Sequence, residues 1–176
     1  MSPSSHTPVS YVVLDAARMF DNIETAAQLN ADHVSLYRNR KEEPLASVAP
    51  YLFTYATDTE FASWLASDGW GNSWGIYLHT AVKADALHQH LSKFLLVDTE
   101  DGDIFYFRFY DPRVLRVFLP TCDTKQLQEF FGPISYFMME DDDPSQALVF
   151  SLRNGALHTE VIPAPAPMGL KTQPNE

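Results

Sequence analysis

Apolar positions along the chain fall either in short continuous runs or in stripes near the helical period of 3.6. Residues 94–120, FLLVDTEDGDIFYFRFYDPRVLRVFLP, hold both in a single unit. The run Phe94, Leu95, Leu96, Val97 predicts a short buried strand, and Asp101-Gly102 supplies a pair that tolerates the positive φ of a tight hairpin. An aromatic, β-favouring strand is expected over residues 104–110. Asp111 then offers an oxygen to cap a helix, and Pro112 sits where a helix loses nothing by lacking an N–H. Val114, Leu115 and Phe118 recur at helical spacing, and Pro120 stops the run. Local signals that agree so fully point to a packed scaffold before they point to a reaction site.

The rest of the chain alternates between strand-like and helix-like segments without an internal repeat. Strands are expected at residues 11–14, 35–37, 51–55 and 74–78, and a helix over 20–29 with Asp21 as its cap. Residues 41–44 read as a charged turn. Thr57 or Asp58 caps a helix in which Phe61, Trp64 and Leu65 share a face, and Gly69 ends it as a positive-φ stop. Thr80 is the expected cap of a helix whose apolar stripe is Leu87, Leu91 and Phe94. A helix through Leu127 and Phe130 turns into a strand at Gly132-Pro133, and Glu140 to Asp143 reads as a solvated acidic loop. Two late strands flank Asn154-Gly155, the strongest short hairpin signal in the chain. The pattern predicts an α+β (mixed α/β) fold: a single sheet, helices packed mainly on one side, and a late β-hairpin. Residues 9–162 form the expected domain. The polar, proline-containing residues 1–8 and the Pro-rich residues 163–176 are expected to be disordered tails.

Composition narrows the function classes. The chain has 176 residues, 45% of them hydrophobic, which suits one globular domain. The net charge of −11 argues against a nucleic-acid partner, which needs Lys and Arg at its phosphates, and against anionic membrane surfaces. A lone cysteine, Cys122, excludes an internal disulfide framework and suits a reducing cytoplasm. Residues 1–10 do not read as a signal peptide, and the apolar runs are far too short to span a bilayer.

Candidate chemistry is sparse. His88-Gln89-His90, with His79 upstream, invites a metal reading, but residues i and i+2 of a helix face apart, and the i,i+4 pairing of H-E-x-x-H is missing. A hydrogen-bonded core histidine, His90 beside Leu87 and Leu91, is the preferred reading, so no metal and no cofactor is expected. No G-x-S-x-G or Gly-rich phosphate loop occurs. Cys122 precedes a helix whose N-terminus could lower its pKa, yet no base is evident, and it reads as a small half-buried residue. The carboxylates Asp98, Glu100, Asp101 and Asp103 read as a solvated turn. Arg108, Asp111 and Arg113 form a polar corner: either an anion site or, as preferred, a capped helix start tied down by two guanidiniums. Trp70 and Trp74 bracket a Gly-Asn loop. One reading has Trp74 in the core and Trp70 covering a helix end; the other makes Trp70 an exposed anchor for a partner. No catalytic residue is assigned, and Trp70, Trp74, Arg108, Asp111 and Arg113 are the residues expected to meet a partner protein.

FRFYDPRVL resembles the signature segment of the small adaptor (chaperone) proteins of bacterial type VI secretion, sometimes called Tap or TEC proteins. Other segments are similar in the same order: Tyr11-Val12-Val13-Leu14-Asp15-Ala16-Ala17-Arg18, Ala49-Pro50-Tyr51-Leu52, Trp74-Gly75-Ile76, His90-Leu91 with Leu95-Leu96-Val97, and Phe130-Phe131-Gly132-Pro133-Ile134. The resemblance implies a non-enzymatic protein of the bacterial cytoplasm that binds a secreted effector and helps load it onto the VgrG spike protein. The effector would add as a strand at a sheet edge or lay a helix face in an apolar groove. Longer members continue past the last of these segments into a further, largely helical lobe. Here a short hairpin and a proline-rich end follow, which implies a smaller or differently supplied cargo surface. Two readings from other classes stand beside it. One is a small metal-dependent hydrolase using His79, His88 or His90 with Asp15 or Asp111. The other is an immunity protein whose acidity suits a basic toxin.

Overall fold

The computed structural model describes residues 9–38 and 45–166. The whole of the expected N-terminal tail (1–8), residues 167–176 of the expected C-terminal one and the expected charged turn at 41–44 lie outside the described residues. Nine strands and six helices follow one another as β1 (Val9–Asp15), α1 (Ala16–Met19), α2 (Asn22–Leu29), β2 (His33–Ser35), β3 (Pro50–Tyr55), α3 (Glu60–Trp64), β4 (Gly75–Thr80), α4 (Ala84–Ser92), β5 (Leu96–Asp98), β6 (Ile104–Tyr106), α5 (Pro112–Phe118), α6 (Thr124–Phe131), β7 (Ile134–Glu140), β8 (Gln146–Arg153) and β9 (Ala156–Pro163). Seven strands make one antiparallel sheet in the order β2-β3-β1-β4-β7-β8-β9, while β5 and β6 form a separate two-stranded sheet among the described residues. The fold is the expected α+β class, with one large sheet and a C-terminal hairpin.

Strand alternation sorts the core. In β1, Tyr11 and Val13 point to one face and Val12 and Leu14 to the other. The larger cluster gathers Leu52, Ile76, Leu78 and Phe137 from the sheet with Leu87 and Leu91 of α4, Leu115 of α5, and Leu127, Phe130 and Phe131 of α6. The smaller one sets Val12, Leu14 and Phe53 against Met19 of α1, Ala26 of α2, and Phe61 of α3. Most of the buried apolar surface thus lies on one side, but the second face is covered as well. Burial on both faces explains why β1, an interior strand flanked by β3 and β4, is apolar at successive positions.

Several local readings shift. The segment 20–29 breaks at Phe20, whose φ is 52°, so a single-turn α1 precedes α2, and Asp21 makes no side-chain cap. Thr59, not Thr57 or Asp58, caps α3, because its hydroxyl accepts from the Ala62 N–H at 3.1 Å. Gly69 does not stop that helix by positive φ; α3 runs into a π-turn (Leu65–Gly69), and the glycine is needed for space. A Cβ there would lie 2.8 Å from Trp74 Cε3. Thr80 caps no helix; its hydroxyl donates to the Pro133 carbonyl (2.8 Å) and accepts from the Val82 N–H. The weak strand near Ser35 falls at His33–Ser35. The aromatic strand ends at Tyr106, because its partner β5 is only three residues long and the chain beyond turns inward to bury Phe109. Glu140 is not part of a solvated loop; it is buried at the end of β7. β9 ends at Pro163, and the Ala164 N–H donates to the Ser145 carbonyl at 2.9 Å, so the chain stays on the sheet just past the expected boundary.

Candidate partner-binding surface

The polar corner forms where the end of β1 meets the start of α5. Asp15, the last residue of β1, is buried and accepts from the Arg108 guanidinium and from the Arg18 N–H as the cap of α1. Asp111 is buried too. It caps α5 through the Arg113 N–H (3.0 Å) and takes a two-pronged bond from the Arg113 side chain, Nε at 3.0 Å and NH2 at 2.7 Å. Arg108 NH2 also stands 3.8 Å from Asp111 Oδ2, so one guanidinium bridges two buried carboxylates. Burial by itself would raise the Asp111 carboxyl. The hydrogen bonds from Arg113 and the charges of Arg113 and Arg108 outweigh it and hold the group below the ordinary carboxylate range. Arg108 and Arg113 keep 44% and 46% of their side chains exposed, so each is bonded inward and open outward.

A second clamp lies alongside. Arg18 Nε donates to the Asn72 carbonyl (2.9 Å), which ties α1 to the loop before β4. Glu140 accepts from the N–H groups of Gly71 (2.9 Å) and Ser73 (2.8 Å) and from the Ser73 hydroxyl. Arg116 of α5 donates to the Glu140 carbonyl and pairs with Asp142. Trp70 Nε1 donates to the Pro144 carbonyl at 2.8 Å. Trp74 is buried in the smaller core, so of the two tryptophans only the half-buried Trp70 reaches the surface. Among the described residues every buried side-chain nitrogen and oxygen has a partner. These groups fasten elements together.

The histidines are fastened in the same way. His79 meets the Ser10 hydroxyl at 3.0 Å and stacks on Tyr136, His88 Nε2 meets the Ser35 carbonyl at 2.9 Å, and His90 Nε2 meets the Phe130 carbonyl at 2.8 Å. His88 is the deeper of the helical pair, where the sequence pattern favoured His90. Among the described residues no three His, Cys, Asp or Glu side chains come together as metal ligands would. The Cys122 thiol donates to the Phe118 carbonyl, and burial, helped by the Asp123 charge, pushes its pKa up, opposite to the helix-end effect that its position suggested.

The hairpin expected between α4 and the corner is present as the β5–β6 ribbon; what the sequence reading missed is that its apolar side chains stay exposed. Ile104 and Phe105 of β6 are 61% and 58% exposed, and Val97 of β5 is also exposed, in cross-strand register with Phe105. The ribbon's root is fixed by the Phe107 N–H to Leu95 carbonyl bond at 2.9 Å and by Phe107 packing on Phe118. Its tip carries Asp98, Glu100, Asp101 and Asp103. An apolar ribbon with an acidic tip is a surface that a partner can cover. The available signal was length: β6 faces only three residues of β5, too few to place the whole aromatic run in a sheet.

A family model described as "Domain of unknown function (DUF4123)" matches residues 10–129, about two thirds of the chain. The chain belongs to the DUF4123 family. No curated protein and no solved structure matches it. The DUF4123 segment contains β1 to β6, α1 to α5 and most of α6, hence the whole polar corner and the ribbon. The last three strands, β7 to β9, fall outside it. No described helix is long and apolar enough to cross a membrane.

Proposed function

We propose that this DUF4123 protein is a non-enzymatic adaptor that holds a type VI secretion effector in the bacterial cytoplasm and helps load it onto the VgrG spike. The observation that carries the reading is the β5–β6 ribbon. It stands inside the family match, and β6 ends one residue before the FRFYDPRVL segment (107–115) that resembles the adaptor signature. Its exposed Val97, Ile104 and Phe105 are mounted on a corner where Arg108 and Arg113 are locked by buried carboxylates. A rigid mount costs little ordering entropy when a partner binds. Among the described residues the ribbon has two strands, so an effector segment can add as a strand at its edge while its apolar side chains meet Phe105 and Ile104. Trp70, Arg108 and Arg113 are the remaining contact residues in this reading, with Asp111 and Trp74 holding them in place. Release follows from competition or assembly at the spike.

The test is capture of the tagged protein from a host expressing its secretion genes, read by mass spectrometry, beside a Phe105→Ser, Ile104→Ser variant. The expected result is a spike protein and one large effector with the parent chain. The variant should retain its fold by circular dichroism and lose the effector. Recovery of neither partner with the parent chain overturns the adaptor reading. Equal recovery with the variant moves the site away from the ribbon.

A further inference from the structure

The sheet ends asymmetrically. Its β2 edge is three residues long, a length that gives little to pair with, whereas β9 at the other edge has eight residues. Among the described residues no strand pairs with the outer side of β9. The register across β8–β9 fixes which backbone groups face outward. Arg153 and Ala156 flank a two-residue turn with positive φ at both Asn154 (52°) and Gly155 (79°), so they form the first hydrogen-bonded pair of the hairpin. Ala164 N–H donates to the Ser145 carbonyl, which keeps the same parity at the far end. Even-numbered residues of β9 therefore bond to β8, and Leu157, Thr159 and Val161 direct their N–H and C=O groups into the open edge.

We propose that β9 pairs with β9 of a second copy of this chain, antiparallel about a two-fold axis at Thr159, to form a dimer with one continuous sheet. The strand's sequence, Ala-Leu-His-Thr-Glu-Val-Ile over 156–162, reads the same by residue class in both directions. In that register Thr159 faces Thr159 of the second copy, and Leu157 faces Val161. These are the residues with outward backbone groups, so both are hydrogen-bonded pairs. His158 faces Glu160, and Ala156 faces Ile162, in the closer non-hydrogen-bonded pairs. Every apolar residue meets an apolar one, and each histidine meets a carboxylate twice over by symmetry. A shift of one residue sets outward groups against inward ones, and a shift of two sets Glu160 opposite itself or His158 opposite itself. The proposal also accounts for Val161, which is 55% exposed on an open edge and gains Leu157 of the second copy as its neighbour. An isologous contact of this kind closes on itself and cannot grow into a fibre.

The inference does not rest on the adaptor reading, and its main test uses the purified full chain. Sedimentation equilibrium from about 1 to about 500 µM spans the weak end of interface affinities. The expected result is a concentration-dependent rise from the 19.9 kDa monomer to twice that mass. Thr159→Pro removes an outward N–H and leaves the β8 ladder intact, and should abolish the dimer. His158→Glu places like charges opposite each other and should weaken it by about tenfold. The double variant His158→Glu, Glu160→Lys restores opposite charges and should restore the dimer. Circular dichroism and melting check that each variant is folded. A monomer at all concentrations overturns the proposal, as does a dimer indifferent to these variants or a charge swap without rescue. A monomer whose β9 amides become protected from hydrogen exchange only when effector is added also overturns it. That outcome assigns the edge to the effector and leaves the adaptor reading standing.

Discussion

Arg108 reaches across 93 positions of sequence to Asp15, so the segment leading into α5 is bolted to the end of the interior strand β1. Asp15 is buried and Arg108 is half exposed, and this difference sets the consequence of breaking the pair. Arg108→Ala leaves a carboxylate buried with only the weak Arg18 cap, and is expected to cost about 3 kcal/mol, the low end for an orphaned buried charge. Asp15→Asn leaves a guanidinium that water can reach and should cost less, about 1–2 kcal/mol. Urea denaturation of both variants checks the order, and an equal or reversed order would mean that the pair contributes nothing beyond surface charge.

Gly132 ends α6 with φ 49° directly over the His90 ring, and a Cβ there would stand 2.3 Å from His90 Cε1. Gly132→Ala combines this overlap with an unfavourable backbone and should destabilise by about 2–4 kcal/mol. His90→Ala removes the overlap but not the φ strain. The double variant should therefore be less destabilised than the sum of the two singles, by 1 kcal/mol or so. Additive losses would show that backbone strain acts alone.

The acid limb of stability should carry the signature of Asp111. Its folded pKa lies below the ordinary carboxylate value, so the unfolded chain takes up a proton first as the pH falls. The stabilisation is complete above the ordinary range and is lost below about pH 4, as the pH descends through the depressed folded value. Asp111→Asn keeps a helix-capping side chain but cannot titrate. Its stability, lower at neutral pH, should fall less steeply between about pH 4 and pH 2 than that of the parent chain. Parallel acid limbs would contradict the assignment.

Cys122 should be a sluggish nucleophile. Burial and the neighbouring Asp123 raise its pKa, and only the thiolate reacts. Alkylation by iodoacetamide at pH 8 is expected to be several-fold slower in the folded protein than in denaturant. A folded-state rate as fast as the unfolded one would exclude the hydrogen-bonded, half-buried thiol seen here.

The local pattern determined the elements. Asp111-Pro112 starts α5, Asn154-Gly155 turns the last hairpin, and the apolar runs at 11–14 and 51–55 fall within β1 and β3, because these signals depend on residues within a few positions of one another. Tertiary contacts decided what each polar group does. Asp15 and Arg108 meet through the corner, Glu140 closes on the backbone of Gly71 and Ser73, and His88 rather than His90 is the more buried, since each depends on a partner some 50 residues away or more. They also decided which apolar residues remain in view. The same aromatic run holds buried Phe109 and exposed Phe105, and the difference lies in where the short strand opposite it ends. A strand's residues specify that it will pair, whereas the arrangement of the whole sheet specifies which strands lie at its edges, and among the described residues the longer of the two edge strands is β9.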